Sequence, residues 1–128
     1  MVYALDGGDI VRFNFNEEIL IEVDQTNSSL GSSRKIVVSG DGNYLYRGWL
    51  RFLANNLSSN LGTFGESIFA TNYDGSIAIG DEHIWDATTY SIIKPLPVNS
   101  GVMEMDPNDN TVYIYDTNTS KVYLVNIE

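Results

Sequence analysis

Four acidic turn marks recur along the chain at nearly constant spacing, and that spacing limits the possible folds more than any other feature. Asp6-Gly7-Gly8, Asp41-Gly42-Asn43, Asp74-Gly75-Ser76 and Asp109-Asn110 fall 35, 33 and 35 residues apart. A steady period in this range means that one supersecondary unit is written several times and stacked on itself. Asp and Asn bond their own backbone two residues on, and Gly supplies positive φ, so each mark reads as a tight turn. Between the marks lie runs rich in Val, Ile, Tyr and Phe, residues that suit a pleated surface. They are Val2 to Leu5, Ile10 to Phe15, Ile19 to Val23, Lys35 to Ser39, Tyr44 to Tyr46, Trp49 to Leu53, Ile68 to Thr71, Ser76 to Ile79, His83 to Asp86 and Tyr90 to Ile93. Helical periodicity is almost absent. Its best candidate, Trp49 to Ala54, is short and flanked by Gly48 and Asn55-Asn56, and reads as strand.

The last quarter shows the unit most plainly. Val102 to Met105, Thr111 to Tyr115 and Lys121 to Ile127 are separated by the Asp106-Pro107-Asn108-Asp109-Asn110 cluster and a second turn, giving a three-stranded antiparallel meander. Val2 to Asn14 aligns with Val112 to Asn126, a hairpin in both places. Lys35 to Gly65 and Ser67 to Ser100 each have room for four short strands. With strands lettered A to D within a unit, the chain reads BCD, ABCD, ABCD, ABC, fourteen strands in units of approximately 1–31, 32–66, 67–101 and 102–128. A rival register makes Val2 to Leu5 an A strand; it fits the turn spacing better and the pairwise alignment worse.

Met105-Asp106-Pro107-Asn108-Asp109-Asn110-Thr111-Val112-Tyr113-Ile114 and, second, Val38 to Tyr46 with its Asp41-Gly42 turn resemble blades of a β-propeller, particularly the YVTN/NHL-like group. The resemblance implies an all-β, propeller-like array of four-stranded antiparallel meander blades, about three to four units in a single domain. Trp85-Asp86 ends a third-strand run, yet no Gly-His pair precedes it, which does not support the WD-repeat subclass.

Periodicity points the same way. In Val112 to Tyr115 and Val122 to Ile127 both alternating faces are apolar or aromatic, whereas a sheet wetted on one side alternates apolar with polar. Radially stacked blades cover one another on both sides. A strand of five or six residues gains about 2 to 4 kcal/mol when a neighbouring sheet covers it, at about 25 cal/mol per Å². Propellers have four blades or more, and this chain supplies two whole units and two incomplete ones. Self-association, or membership of a larger propeller, is therefore expected over a solitary monomer, because an open array leaves an edge and a face exposed.

Composition removes several classes of function. The net charge of −10 repels phosphate backbones and anionic head groups, so neither nucleic acid nor membrane is an expected partner. The absence of cysteine excludes disulfides, thiolate zinc sites and cysteine nucleophiles, and leaves the compartment undecided. The N-terminus lacks a basic region and reaches an acid at Asp6, unlike a signal peptide, and no apolar run approaches the length of a membrane span. Asn27, Asn56 and Asn118 head glycosylation sequons in stretches that read as polar loops.

Chemistry is thinly represented. His83 is the only histidine, which rules out multi-histidine metal sites; a Ser-His-Asp arrangement with Asp81 or Asp86 lacks a Gly-x-Ser-x-Gly elbow. Asp106, Asn108 and Asn110 open like an EF-hand loop, but Thr111 and Thr117 stand where the turn Gly and the bidentate Glu belong. Gly40-Asp41-Gly42 is too short for a phosphate cradle, and Arg47, Trp49 and Arg51 make a meagre basic-aromatic patch in so acidic a chain. Asp81, Glu82 and Asp86 around Trp85 allow sugar stacking beside acids, a glycosidase or lectin pattern, against the alternative of a Trp packed between sheets. The reading is a binding or assembly module for a protein partner, or one that completes itself with a second copy, without catalysis, cofactor or metal. A carbohydrate-binding or glycoside-active propeller is its rival. Tyr73, Asp74, His83, Trp85 and Asp86 are the candidate binding residues, on loops held by rigid strands.

Overall fold

A computed structural model describes residues 1–6, 9–16, 19–26, 35–99, 102–106, 108 and 110–127. Among them there is no helix, and the strands gather into four antiparallel sheets, each a meander in chain order. The first holds β1 (Val2–Asp6), β2 (Asp9–Asn16) and β3 (Ile19–Gln25). The second holds β4 (Ile36–Val38), β5 (Tyr44–Arg47), β6 (Leu50–Leu53) and β7 (Asn56–Thr63). The third holds β8 (Ile68–Thr71), β9 (Ile77–Gly80), β10 (His83–Asp86) and β11 (Ser91–Pro95). The fourth holds β12 (Met103–Asp106), β13 (Thr111–Asp116) and β14 (Lys121–Asn126).

The grouping of three, four, four and three strands is the one expected from the pairwise alignment. β4 lies beside β8 and β8 beside β12, so the first strands of the last three sheets neighbour one another. β3 instead lies beside β7, the fourth strand of its sheet, which makes the first sheet the one lacking a first strand. Leu50–Leu53 of the run read from Trp49 to Leu53 is strand, and Trp49 belongs with Gly48, at φ 54°, to the turn from β5 into β6. One element is missing from the sequence-derived runs. β7 is Asn-Leu-Ser-Ser-Asn-Leu-Gly-Thr, of poor strand propensity, and it pairs with β6 through two register shifts. Asn56 consequently opens a strand instead of lying in a loop, whereas Asn118 is in the β13–β14 turn and Asn27 is outside the described residues.

Where they fall among the described residues the turn marks do what their residues allow; Gly7, Gly8 and Asp109 lie outside them. Gly42 and Gly75 take φ of 75° and 70°, and Asn110 takes 56° at the corresponding place in the fourth sheet. Asn is one of the few side chains that tolerates this region, so Asn110 can stand where Gly42 and Gly75 stand. Gly75 has a second constraint: a Cβ there would come within 2.7 Å of the Tyr44 ring.

Three apolar clusters fill the spaces between successive sheets. Ile10 meets Leu45, Phe52, Ala54 and Leu57 between the first and second. Tyr46 and Phe64 meet Ile68, Ala78, Trp85 and Ala87 between the second and third. Ile79 and Ile84 meet Met103, Met105, Val112 and Ile114 between the third and fourth. Arg47 and Arg51, the basic members of the meagre basic-aromatic patch, are both buried, while Trp49 between them is exposed. Arg51 stacks on Tyr44, 3.9 Å from guanidinium carbon to ring centre, and donates to the carbonyls of Ala87 at 2.9 Å and Gly75 at 3.2 Å. It ties the second sheet to the third, its charge held by a ring face, carbonyl dipoles and the Tyr46 and Tyr90 side chains.

Candidate functional site

The five candidate residues separate into three local settings. His83 and Trp85 alternate with Ile84 along β10, so both project from the face opposite the buried Ile84. They meet the carboxylate of Glu66, from the loop before β8. Glu66 Oε1 accepts a 2.6 Å hydrogen bond from Trp85 Nε1 and lies 3.1 Å from His83 Nδ1; Oε2 accepts one of 2.6 Å from the backbone N–H of Glu82. Gly80 makes room for it, since a Cβ there would stand 2.4 Å from the Glu66 carboxyl carbon.

These groups line a depression of about 470 Å³ that also touches Phe69, Asp81 and Ile92. Trp85 is only 8% exposed and is held edge-on by Phe64 and His83, at centroid distances of 5.7 and 6.1 Å. Its indole therefore packs between sheets with its N–H committed to Glu66. A carboxylate accepting three such contacts is a fastener for the loop. Glu66 has no local signal in the sequence, because its partners lie 16 to 19 residues further on.

Asp74 and Asp86 belong to turns. Asp74 Oδ1 accepts from the Ser76 hydroxyl at 2.6 Å and the Ser76 N–H at 3.0 Å; Asp86 Oδ1 accepts from the Thr88 hydroxyl at 2.6 Å and the N–H groups of Thr88 and Thr89. The hydroxyl donors first, then the amides, hold both carboxyls below the ordinary carboxylate range. Asp41 and Asp116 are held in the same way by Ser39 and Thr119. Asp106 accepts the Asn108 N–H at 2.9 Å, so this EF-hand-like opening is also a turn cap. Among the described residues no three His, Asp or Glu side chains gather as metal ligands would.

Tyr73 sits in the β8–β9 turn, 53% exposed. It lies against Gly40 of the preceding sheet, where a Cβ would come 2.6 Å from the ring, and its carbonyl accepts the Asp41 N–H at 2.8 Å. Tyr73 and Asp74 thus share a loop surface with Asp41, separate from the Glu66 cluster.

A further surface lies on the fourth sheet. Val112 and Ile114 turn inward, so Tyr113 and Tyr115 turn outward, joined by Val122 and Leu124 through the pairs Tyr115↔Val122 and Tyr113↔Leu124. Val122 is 58% and Leu124 66% exposed. A depression of about 340 Å³ runs between Val102, Tyr113 and Val122, rimmed by Lys35 and Glu104, whose Nζ and Oε1 are 3.3 Å apart. Sequence reasoning recognised that these strands are apolar on both faces and expected both to be covered. Only the inward face is covered within the chain, because the third sheet lies on one side alone.

No protein-family model matches the chain, and no curated protein matches it. Among solved structures it is similar to one described as the structure of U3-55K, at 12% identity and a TM-score of 0.55, covering 93% of this chain and 46% of that one. It is similar also to the crystal structure of RRP9 WD40 repeats, at 11% identity and a TM-score of 0.56, covering 93% and 45%. The likeness is one of fold: the sheets are arranged as in part of a β-propeller. The chain spans less than half the length of these structures.

Proposed function

We propose that this chain is a non-catalytic β-propeller-type assembly module that engages a protein partner, its four sheets acting as consecutive units of one domain. The observation that carries this reading is the exposed apolar face of β13 and β14, where Tyr113, Val122 and Leu124 lie together on a sheet whose other face is packed. A contiguous apolar sheet face on a chain of net charge −10 is costly in water unless a polypeptide surface covers it. Tyr73, on the loop surface it shares with Asp74 and Asp41, offers a smaller polar-aromatic contact beside the main one. His83, Trp85 and Asp86 act within the third sheet, the first two through Glu66 and the last through its own turn.

The test is site-specific cross-linking in the cell of origin with a photoreactive aromatic residue in place of Tyr113, and a second probe at Thr88 in an exposed turn as control. The expected result is a covalent adduct with a polypeptide from position 113 and much less from position 88. Absence of any polypeptide adduct, together with binding on a glycan array that Trp85→Ala abolishes, would overturn the reading in favour of a carbohydrate-binding domain.

A further inference from the structure

The depression beside Glu66 and Trp85 holds chemistry that fastening the loop does not use. The carboxylates of Asp81 and Glu82 line it and meet no donor among the described residues. Glu66 Oε1, already bonded to the Trp85 N–H, stands against His83 Nδ1, so in the neutral imidazole Nδ1 carries the hydrogen and Nε2 is left as an acceptor. No lysine or arginine lines the depression, and Ser67 supplies its single hydroxyl. Beside these acceptors the wall is apolar: Phe69 is half-buried and Ile92 is 51% exposed. The segment that carries Glu66 is also tied to the second sheet, since the Phe64 and Ile68 N–H groups donate to the carbonyls of Trp49 and Gly48, each at 2.8 Å. Trp49, 49% exposed, therefore stands on the far side of that segment from Asp81 and Glu82.

From this we infer that the depression receives an arginine side chain of a polypeptide partner, its guanidinium between Asp81, Glu82 and His83 and its stem along Ile92, the partner's chain continuing across the Glu66 segment to Trp49. The inference rests on the protein-binding reading above and adds a contact separate from the fourth sheet. Complementarity selects the occupant. A site rich in acceptors and almost without donors fits a group that only donates, and a guanidinium carries five N–H groups and no acceptor. It is more weakly hydrated than an ammonium and lies flat on apolar surfaces, so it tolerates the Phe69 and Ile92 wall better than a lysine would.

Size and reach favour a polypeptide over a free amine. The volume of about 470 Å³ lies in the range of sites that enclose a ligand group. Packed sheets stand about 10 Å apart, so Trp49 is about that far from the acids of the third sheet, beyond the reach of a small amine. An extended chain covers the same distance in three residues, at about 3.3 Å each. A segment with an apolar side chain three residues from an arginine therefore fills both places. The chain's net charge of −10 draws such a segment in, and salt should weaken the contact.

The experiment is calorimetric titration of the whole chain, in low and moderate salt, with the blocked peptide Leu-Ser-Ser-Arg-Ser and with its citrulline counterpart, which keeps the shape without the charge. The arginine peptide should bind about tenfold more tightly than the citrulline peptide, and less tightly as salt rises. Asp81→Asn with Glu82→Gln should weaken it about tenfold, and Trp49→Ala roughly threefold. Glu22→Gln with Glu104→Gln removes the same charge from exposed positions on the first and fourth sheets, and should change affinity by less than about twofold. Circular dichroism checks that each variant keeps its strands. Equal affinity for the two peptides, equal losses from the two acid pairs, indifference to Trp49→Ala, or no binding at millimolar peptide would each overturn the arginine site. Any of these results together with a polypeptide adduct from position 113 would leave the assembly reading standing without it.

Discussion

The third and fourth sheets use nearly the same apolar alphabet and meet different fates. In β9 and β10, Ala78 and Trp85 pack toward the second sheet while Ile79 and Ile84 pack toward the fourth, so both faces are dry. In β13 and β14, Val112 and Ile114 are fully buried while Tyr113 and Leu124, on the other face, stand in solvent. The difference comes from the number of neighbours, since the strands themselves are equally apolar. An apolar pattern on two faces records what a strand is fitted to meet; burial records what the chain alone supplies.

The largest effect that would break this comparison comes from truncating one side chain in each sheet. Ile84→Ala should cost about 2 to 5 kcal/mol, because it opens a cavity where two sheets meet. Leu124→Ala should change stability by no more than about 0.5 kcal/mol, as for other surface positions. Urea unfolding at concentrations too low for association measures both. A Leu124→Ala cost similar to that of Ile84→Ala would mean that the outer face is already covered within the chain.

The repeat was legible in the sequence because everything that marks it is local. Asp41-Gly42, Asp74-Gly75 and Asp109-Asn110 announce a backbone conformation that few residues adopt, and the strands between them follow from β-branched and aromatic runs. β7 counts in the sequence as the fourth strand of its unit but shows no run of its own, because an Asn- and Ser-rich strand is specified by the pairing of Asn60 with Phe52 and by the burial of Leu57, both products of tertiary structure. Arg51 is no more legible: the sequence shows it only as part of a meagre basic-aromatic patch, and the fold places it between the Tyr44 ring and two carbonyls. For Trp85 the packed alternative is the one found, and its fastener, Glu66, could not be anticipated from residues so far apart in the chain.

That fastener provides the next test, intermediate in size and confined to the sheet with two neighbours. Glu66→Gln keeps the shape but removes the charge from three contacts, and should cost about 1 to 3 kcal/mol. Gly80→Ala should reach a similar loss by displacing the same carboxylate. Combined in one chain, the two substitutions should cost clearly less than their sum, because each removes the other's target. Full additivity in a double-mutant cycle would show that Gly80 is required for some reason unrelated to Glu66.

The smallest expected effect concerns what the two sheets share. The turn aspartates Asp74 and Asp116 each accept hydrogen bonds within their own turn, and both carboxyls sit below their ordinary value, first through a side-chain hydroxyl and then through backbone amides. A carboxyl whose folded pKa is depressed stabilises the fold above its unfolded pKa of about 3.9, and that contribution is lost as pH falls through the lower, folded value. Stability should thus decline on acidification below about pH 4, and Asp74→Asn or Asp116→Asn should each make the decline shallower, read from thermal midpoints across an acid series. Because the donors are local, the two variants should act alike, although one lies in a sheet covered on both faces and the other in a sheet covered on one. A clearly larger effect at Asp74 would mean that the neighbouring turn of Ser39 to Asp41, which rests on Tyr73, carries part of the acid sensitivity, and that even turn chemistry depends on having a sheet on each side.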